Sequence, residues 1–219
     1  MAPKLHLYGL QGACSMAPHI LLQEANLEHD KTIWKKEELL KDGGFSYPED
    51  FKALNPKAKV PVLAADNEVI TENPAIFTLI SQLAPEKNFL GKTPLETVRV
   101  YEWLNYLSGT LHGHAFGMFF APQRFVDVED ESLVKHVAAK AKTTIDACYK
   151  YVDGKLEGKT FAVGDDFTAV DAYLFVFYQW GAVAAQLPME KDYPNYAKLV
   201  AEIGKRPSVL ATLKAEGLA

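Results

Sequence analysis

The chain has 219 residues, 48% of them hydrophobic and 23% charged, enough material for one large domain or two small ones with a real core. A formal net charge of −5, with no Lys/Arg cluster interleaved with aromatics, argues against nucleic acid as a partner. Two cysteines are too few for a disulfide framework, and no apolar N-terminal run suggests a leader or a membrane span, so a reduced, cytoplasmic setting without membrane contact is expected.

Lys4-Leu5-His6-Leu7-Tyr8 alternates polar and apolar, the period of a half-buried strand, and Ala17, Ile20, Leu21 and Ala25 then recur at helical spacing. Between them lies Gly12-Ala13-Cys14-Ser15, so Cys14 is expected at a strand-to-helix turn with Ser15 as N-cap. A helix start carries unpaired N–H groups and about half a positive charge, which favours a reactive thiolate and an expected low pKa for Cys14. Cys148 shares a helical face with Ile145, Tyr149 and Val152 and reads as a packed, inert thiol.

Glu28 to Trp34 reads as a second, edge-like strand, and Lys35 to Asp50 as a loop broken by Gly43, Gly44 and Pro48, with at most a short helix over Pro48 to Leu54. Pro61 opens a strand, Val62-Leu63-Ala64, a place where proline is permitted and a cis bond is allowed. Asp66-Asn67-Glu68 turns into Val69-Ile70 to close a hairpin. Asn73 followed by Pro74 is an N-cap signature ahead of Ile76, Phe77, Leu79, Ile80 and Leu83, and Pro85 ends that helix. The order divides the chain into an α/β unit at 1–84, a linker at 85–94 and a helical unit at 95–219.

In the second unit helical periods run over Val98 to Leu111, Asp130 to Tyr151, Thr168 to Ala185, Tyr193 to Gly204 and Ser208 to Glu216. Thr168-Ala169-Val170-Asp171 is a capping box with aspartate in the glutamate's place, ahead of a run apolar on nearly all sides, so Asp171 reads as a folding residue. No metal site is expected: His112 and His114 are two apart, which points them in different directions on a helix, and neither cysteine has a ligand pair beside it.

Taken together, Gly12-Ala13-Cys14-Ser15 with Ala17-Pro18-His19-Ile20, Asn55-Pro56-Lys57 with Val60-Pro61-Val62-Leu63, Thr71-Glu72-Asn73-Pro74-Ala75-Ile76, Glu102-Trp103-Leu104-Asn105 with His112, and Phe167-Thr168 to Phe175 resemble the glutathione transferases. Among these the chain is most similar to the cysteine-containing beta class. The resemblance implies an α/β thioredoxin-like N-terminal domain plus an all-α C-terminal domain that forms the second-substrate pocket, in a homodimer. It implies glutathione as co-substrate, without a metal, and a small electrophile or disulfide as second substrate. Carried over, Cys14 faces the glutathione sulfur, the Val60 backbone ahead of a cis Pro61 pairs with the peptide-like middle, and Glu72 and Asn73 hold the γ-glutamyl end. Asn105 and His112 reach the site from the helical unit.

The chain departs from the family pattern at Gln11, where proline is usual, at Asn73, where serine is frequent, and at Gly113, where a basic residue is common. The last leaves the glycyl carboxylate to Lys35 or Lys36. The reading is a glutathione transferase with thiol–disulfide exchange through a mixed disulfide at Cys14 as well as modest conjugation, with Ser15, ahead of Tyr8, as the hydroxyl donor if Cys14 is a bystander. Two alternatives stand beside it: a ligand-sequestering protein using an aromatic pocket of Tyr106, Phe116, Phe119, Phe120, Phe125 and Trp180, and a non-catalytic interaction module of the same fold. Apolar surplus on Phe77, Leu83, Val98, Tyr101 and Tyr106 marks the expected dimer face.

Overall fold

The computed structural model describes residues 3–41, 44–127 and 130–219. β1 (Leu5–Leu10) buries Leu5 and Leu7 and leaves His6 and Tyr8 half-buried, the alternation its sequence carries. It runs parallel to β2 (His29–Trp34), in register from Leu5 against His29 to Leu10 against Trp34. α1 (Met16–Glu24) makes the crossover between them, burying Met16 through Leu22.

Between β2 and the hairpin the expected loop is more structured than its breakers suggest. It holds α2 (Lys36–Leu39), a two-residue pair β3 (Leu40–Lys41) and β4 (Gly44–Phe45), and α3 (Glu49–Leu54). Gly43, one of those breakers, lies outside the described residues. Leu39, Tyr47 and Phe51 bury themselves with Leu10 and Val62 in a small second core, and that apolar anchoring organises a charged segment.

The hairpin β5 (Val62–Ala65) and β6 (Glu68–Thr71) adds to the other edge of β1, giving a mixed sheet in the order β2-β1-β5-β6. α4 (Asn73–Leu83) follows, with Glu72 in the N-cap position rather than Asn73. The shift has a physical cause: the Asn73 side chain is buried and donates to the Cys14 carbonyl (3.3 Å) instead of capping its own helix.

α5 (Pro94–Asn105) starts earlier than the periodicity predicts, because Thr93 and Glu96 form a capping box in which Glu96 N donates to Thr93 Oγ1 (3.1 Å). The helix then widens to a π-helical stretch over Tyr106–Phe116 and regains α geometry in α6 (Gly117–Phe120). α7 (Glu131–Lys155), α8 (Ala169–Gln179), a π-helical turn over Trp180–Ala184, α9 (Met189–Asp192), α10 (Pro194–Ile203) and α11 (Pro207–Ala215) complete the chain. Among the described residues no helix is long and apolar enough to cross a membrane.

α8 is the axis of the helical part. Every residue from Ala169 to Phe177 is buried, Asp171 included, and α8 packs on α1 as well as on α5 and α10, so one apolar core runs from the sheet into the helices. Asp171 holds the entry to this helix: Oδ1 accepts from Ala162 N (2.9 Å), and Oδ2 from Thr168 N (2.8 Å) and Thr168 Oγ1 (2.9 Å). Burial nevertheless outweighs these donors and pushes its carboxyl up to about 6.

Candidate active site

The turn between β1 and α1 is built around Gly12, whose φ of +65° suits glycine. Ser15 closes this turn as a staple: its hydroxyl accepts from Leu10 N (3.0 Å) and donates to Leu10 O (3.2 Å), and it is fully buried. The expected side-chain cap on α1 is absent, and both roles of the hydroxyl are spent on β1. Ser15 is therefore corrected from candidate hydroxyl donor to structural residue.

Cys14 follows the turn and faces the start of the hairpin, where its thiol donates to the Val60 carbonyl (3.4 Å) just ahead of the cis Val60–Pro61 bond. Removal of water pushes the thiol up to about 12, more than the turn amides and the Asn73 side chain can offset, and the Glu72 carboxylate adds to the rise. This runs against the expectation of a low-titrating Cys14: burial raises the thiol by more than the helix start lowers it. Cys148 is buried with Ile145, Tyr149 and Val152, and burial raises it as well.

A cleft enclosing about 90 Å3 opens beside the thiol, with Val60 and Pro61 on one wall, Glu72 and Asn73 at the start of α4 on another, and His112 with Tyr173 from the helical part closing it. Glu72 is exposed and holds φ of +70°, a conformation rare for a non-glycine residue that turns it to the cleft rim. It pairs with Lys57, whose ammonium also donates to Thr71 Oγ1 (2.9 Å). Asn73 Oδ1 is buried and has no partner among the described residues, an acceptor left open on the cleft wall.

His112 comes from the π-helical stretch, a geometry that often marks functional sites. Its Nδ1 is within hydrogen-bond distance of the Tyr173 hydroxyl (3.3 Å), and its ring packs edge-on against Trp180 (5.1 Å between centroids) and Phe177 (5.7 Å). Burial pushes the imidazole down to about 4, so it is neutral at neutral pH.

Two expected ligand contacts are not brought to the cleft. Lys35 is exposed at the start of α2, where its backbone N–H donates to Glu38 Oε2 (3.0 Å), and the cations on the cleft are instead Lys57 and Lys59. Asn105 is exposed and spends its amide on the Tyr101 carbonyl one helical turn back (2.9 Å). Lys57 lay inside a recognised motif and could have been found there. Tyr173 also lay inside a recognised motif, Phe167 to Phe175, but the apolar run around it read as core and gave no sign of a place on the cleft. Among the described residues no group of three or more His, Cys, Asp or Glu side chains is placed to hold a metal ion.

Beyond His112 the wall is aromatic. Phe116, Phe120 and Trp180 stand within 5.1 to 5.5 Å of one another, and Phe119 packs on Phe120 at 5.2 Å. Tyr106, expected in this group, packs on Tyr151 instead (4.7 Å).

The family model described as glutathione S-transferase, N-terminal domain, matches residues 12–82, and that for the glutathione S-transferase C-terminal domain matches residues 112–207. Glutathione S-transferase GstA of Escherichia coli O157:H7 is 31% identical, the alignment covering 98% of this chain and 100% of the relative. A bacterial beta class glutathione S-transferase from Sphingomonas chungbukensis superposes with a TM-score of 0.80 at 34% identity, over 98% of this chain and 100% of that one. A sphingomonad glutathione S-transferase solved in complex with glutathione gives a TM-score of 0.80 at 31% identity, again over 98% and 100% of the two chains.

Proposed function

Because the chain belongs to the glutathione S-transferase family, we propose that it binds glutathione along the cleft beside Cys14 and joins its sulfur to small electrophiles, with disulfide exchange at Cys14 as a slower second reaction. Residues 1–84 are the glutathione-binding unit in this reading, residues 85–94 the linker and residues 95–219 the wall for the second substrate. A reducing cytoplasm supplies the co-substrate.

The observation that carries the reading is the complementarity of the cleft to a zwitterionic γ-glutamyl group. Glu72 offers a carboxylate to the ammonium, and the first amides of α4 lack intrahelical partners and favour a carboxylate. Lys57 holds Glu72 in the ligand-free protein, so the substrate ammonium replaces one cation by another without leaving the carboxylate unpaired. The Val60 backbone lies along the path of the cysteinyl peptide, and Lys59 takes the role first given to Lys35 or Lys36 toward the glycyl carboxylate.

The protonated state of Cys14 shapes the chemistry. A thiolate there would repel a second thiolate, whereas a thiol donates a hydrogen bond to the glutathione sulfur. The glutathione thiolate then forms a C–S bond to the electrophilic carbon, and the electron pair displaced at that carbon leaves with the departing group. His112, neutral and fixed on Tyr173, adds a polar contact at the far side of the sulfur, and Phe120 and Trp180 receive the apolar part of the electrophile. In the exchange reaction Cys14, once deprotonated, attacks one sulfur of oxidised glutathione; the S–S bond breaks, glutathione thiolate leaves and a Cys14 mixed disulfide remains.

Retention on immobilised glutathione, followed by turnover with an activated aromatic halide, tests this function. The wild type is retained and conjugates; a protein that is retained without turnover is the ligand-sequestering alternative, and one that is not retained is the interaction module. Glu72→Ala raises KM for glutathione by about tenfold to a hundredfold with kcat little changed, the worth of one charge-assisted hydrogen bond. An unchanged KM removes Glu72 from the site.

The expected dimer face needs one change. Phe77 is fully buried inside its own chain, edge-on to Tyr173 (5.5 Å), and contributes nothing outward. Leu95 on α5, 66% exposed, takes its place beside Val98, already expected there and 60% exposed. We expect a homodimer through α4 and α5 in sedimentation at micromolar concentration, and dissociation on Val98→Glu; a monomeric wild type overturns this.

A further inference from the structure

The turn that presents Cys14 is gripped from the side away from the cleft. Both backbone polar atoms of Gly12 are taken by the helical part: its N–H donates to Glu216 Oε2 (3.0 Å), and its carbonyl accepts from Trp180 Nε1 (2.8 Å). Glu216 follows directly after α11, and its side chain is 0% exposed. Its second carboxylate oxygen accepts from His19 Nδ1 on α1 (2.9 Å), and its backbone carbonyl accepts from Gln11 Nε2 (2.7 Å). One buried residue thus ties down the two residues before the turn's apex and the helix that follows Cys14.

A buried carboxylate is expensive unless its oxygens are engaged, and leucine would fill the same space at less cost if packing were the only requirement. What Glu216 provides is directional. It holds Gly12, two residues before Cys14, at φ +65°, and engages His19, five residues after it. Trp180, on the opposite side of Gly12, stands against His112, so the aromatic wall and the turn share one hydrogen bond.

We infer that Glu216 is a positioning residue: through Gly12 and His19 it fixes the height of Cys14 against Val60, and so determines whether the sulfur of a bound thiol substrate meets the Cys14 thiol. It does not touch the cleft itself. The turnover part of this inference rests on the function proposed above; the placement of Cys14 does not.

The test compares full-length Glu216→Ala, Glu216→Leu and Glu216→Gln with the wild type, with folding checked by thermal melting. Two quantities are read: the rate at which iodoacetamide alkylates Cys14 without glutathione, located by peptide mass, and kcat and KM for glutathione separately. In Glu216→Ala the released turn raises Cys14 alkylation about tenfold and lowers kcat about tenfold, the scale of a sub-ångström to ångström misplacement, while KM stays within about twofold. Glu216→Gln keeps a carbonyl oxygen for Gly12 N–H and restores both rates.

A folded Glu216→Ala protein with alkylation and kcat both within twofold of wild type overturns the inference, as does a loss confined to KM or faster alkylation with kcat unchanged. If Glu216→Ala fails to fold, Glu216→Leu, which fills the same space but offers Gly12 N–H no acceptor, decides by the same thresholds. A wild type that never turns over glutathione sinks the proposed function, and Cys14 alkylation then decides alone whether Glu216 sets that residue.

Discussion

Cys14→Ser is expected to abolish the single glutathione adduct proposed to form from oxidised glutathione, and to lower disulfide exchange by at least about a hundredfold, since a serine hydroxyl is no nucleophile toward sulfur at neutral pH. Cys148 does not substitute for it, because it is buried among Ile145, Tyr149 and Val152 and its thiol is raised by the same desolvation. Conjugation responds differently. The wild-type group is already a neutral donor, so a hydroxyl at the same place donates to the glutathione thiolate at least as well, and conjugation stays within about tenfold of wild type or rises.

The pH profile separates the two reactions. Exchange needs the Cys14 thiolate, whose fraction grows about tenfold per pH unit while pH lies below the raised value of about 12. Adduct formation at pH 9 is therefore about a hundredfold faster than at pH 7, without a plateau between them. Intact mass after timed exposure to oxidised glutathione measures this, and peptide mapping places the adduct. A plateau near neutral pH, or an adduct on Cys148, contradicts the assignment.

Asp171→Ala destabilises the fold by about 3 to 5 kcal/mol, because it leaves the buried N–H groups of Ala162 and Thr168 without an acceptor as well as removing the cap. For a chain of this size that corresponds to roughly 10 °C in Tm. The sign of its pH dependence follows from the raised carboxyl. With the folded value near 6 and the unfolded value in the ordinary carboxylate range, the folded state binds the proton more tightly, so the contribution is complete at low pH and declines as pH rises through 6. The gap between wild type and variant is accordingly larger at pH 5 than at pH 7, by about 1 kcal/mol. Glutathione affinity of the folded variant is unchanged; lost affinity with unchanged stability would move Asp171 from scaffold to site.

The sequence by itself determined the order of the sheet strands and the long helices, the strand-to-helix placement of Cys14, the proline-opened hairpin, and the cap on the buried helix. Each of these is written within a few residues: alternation in Leu5 to Tyr8, the box of Thr168 and Asp171, the Asn73-Pro74 start. Local steric and hydrogen-bonding preferences act over that range, so local letters suffice.

The tertiary structure alone decided what those residues do. Burial against distant segments, Val60 among them at 46 residues away in sequence, raises the Cys14 thiol by more than Asn73, 59 residues away, offsets. Ser15 is consumed by Leu10, Phe77 turns inward onto Tyr173, and Lys57 and Lys59 rather than Lys35 line the cleft. Glu216 grips Gly12 from 204 residues on. A charge or a hydrogen bond takes its free energy from everything packed around it, and which distant segments do that packing is a property of the folded chain that no local pattern encodes.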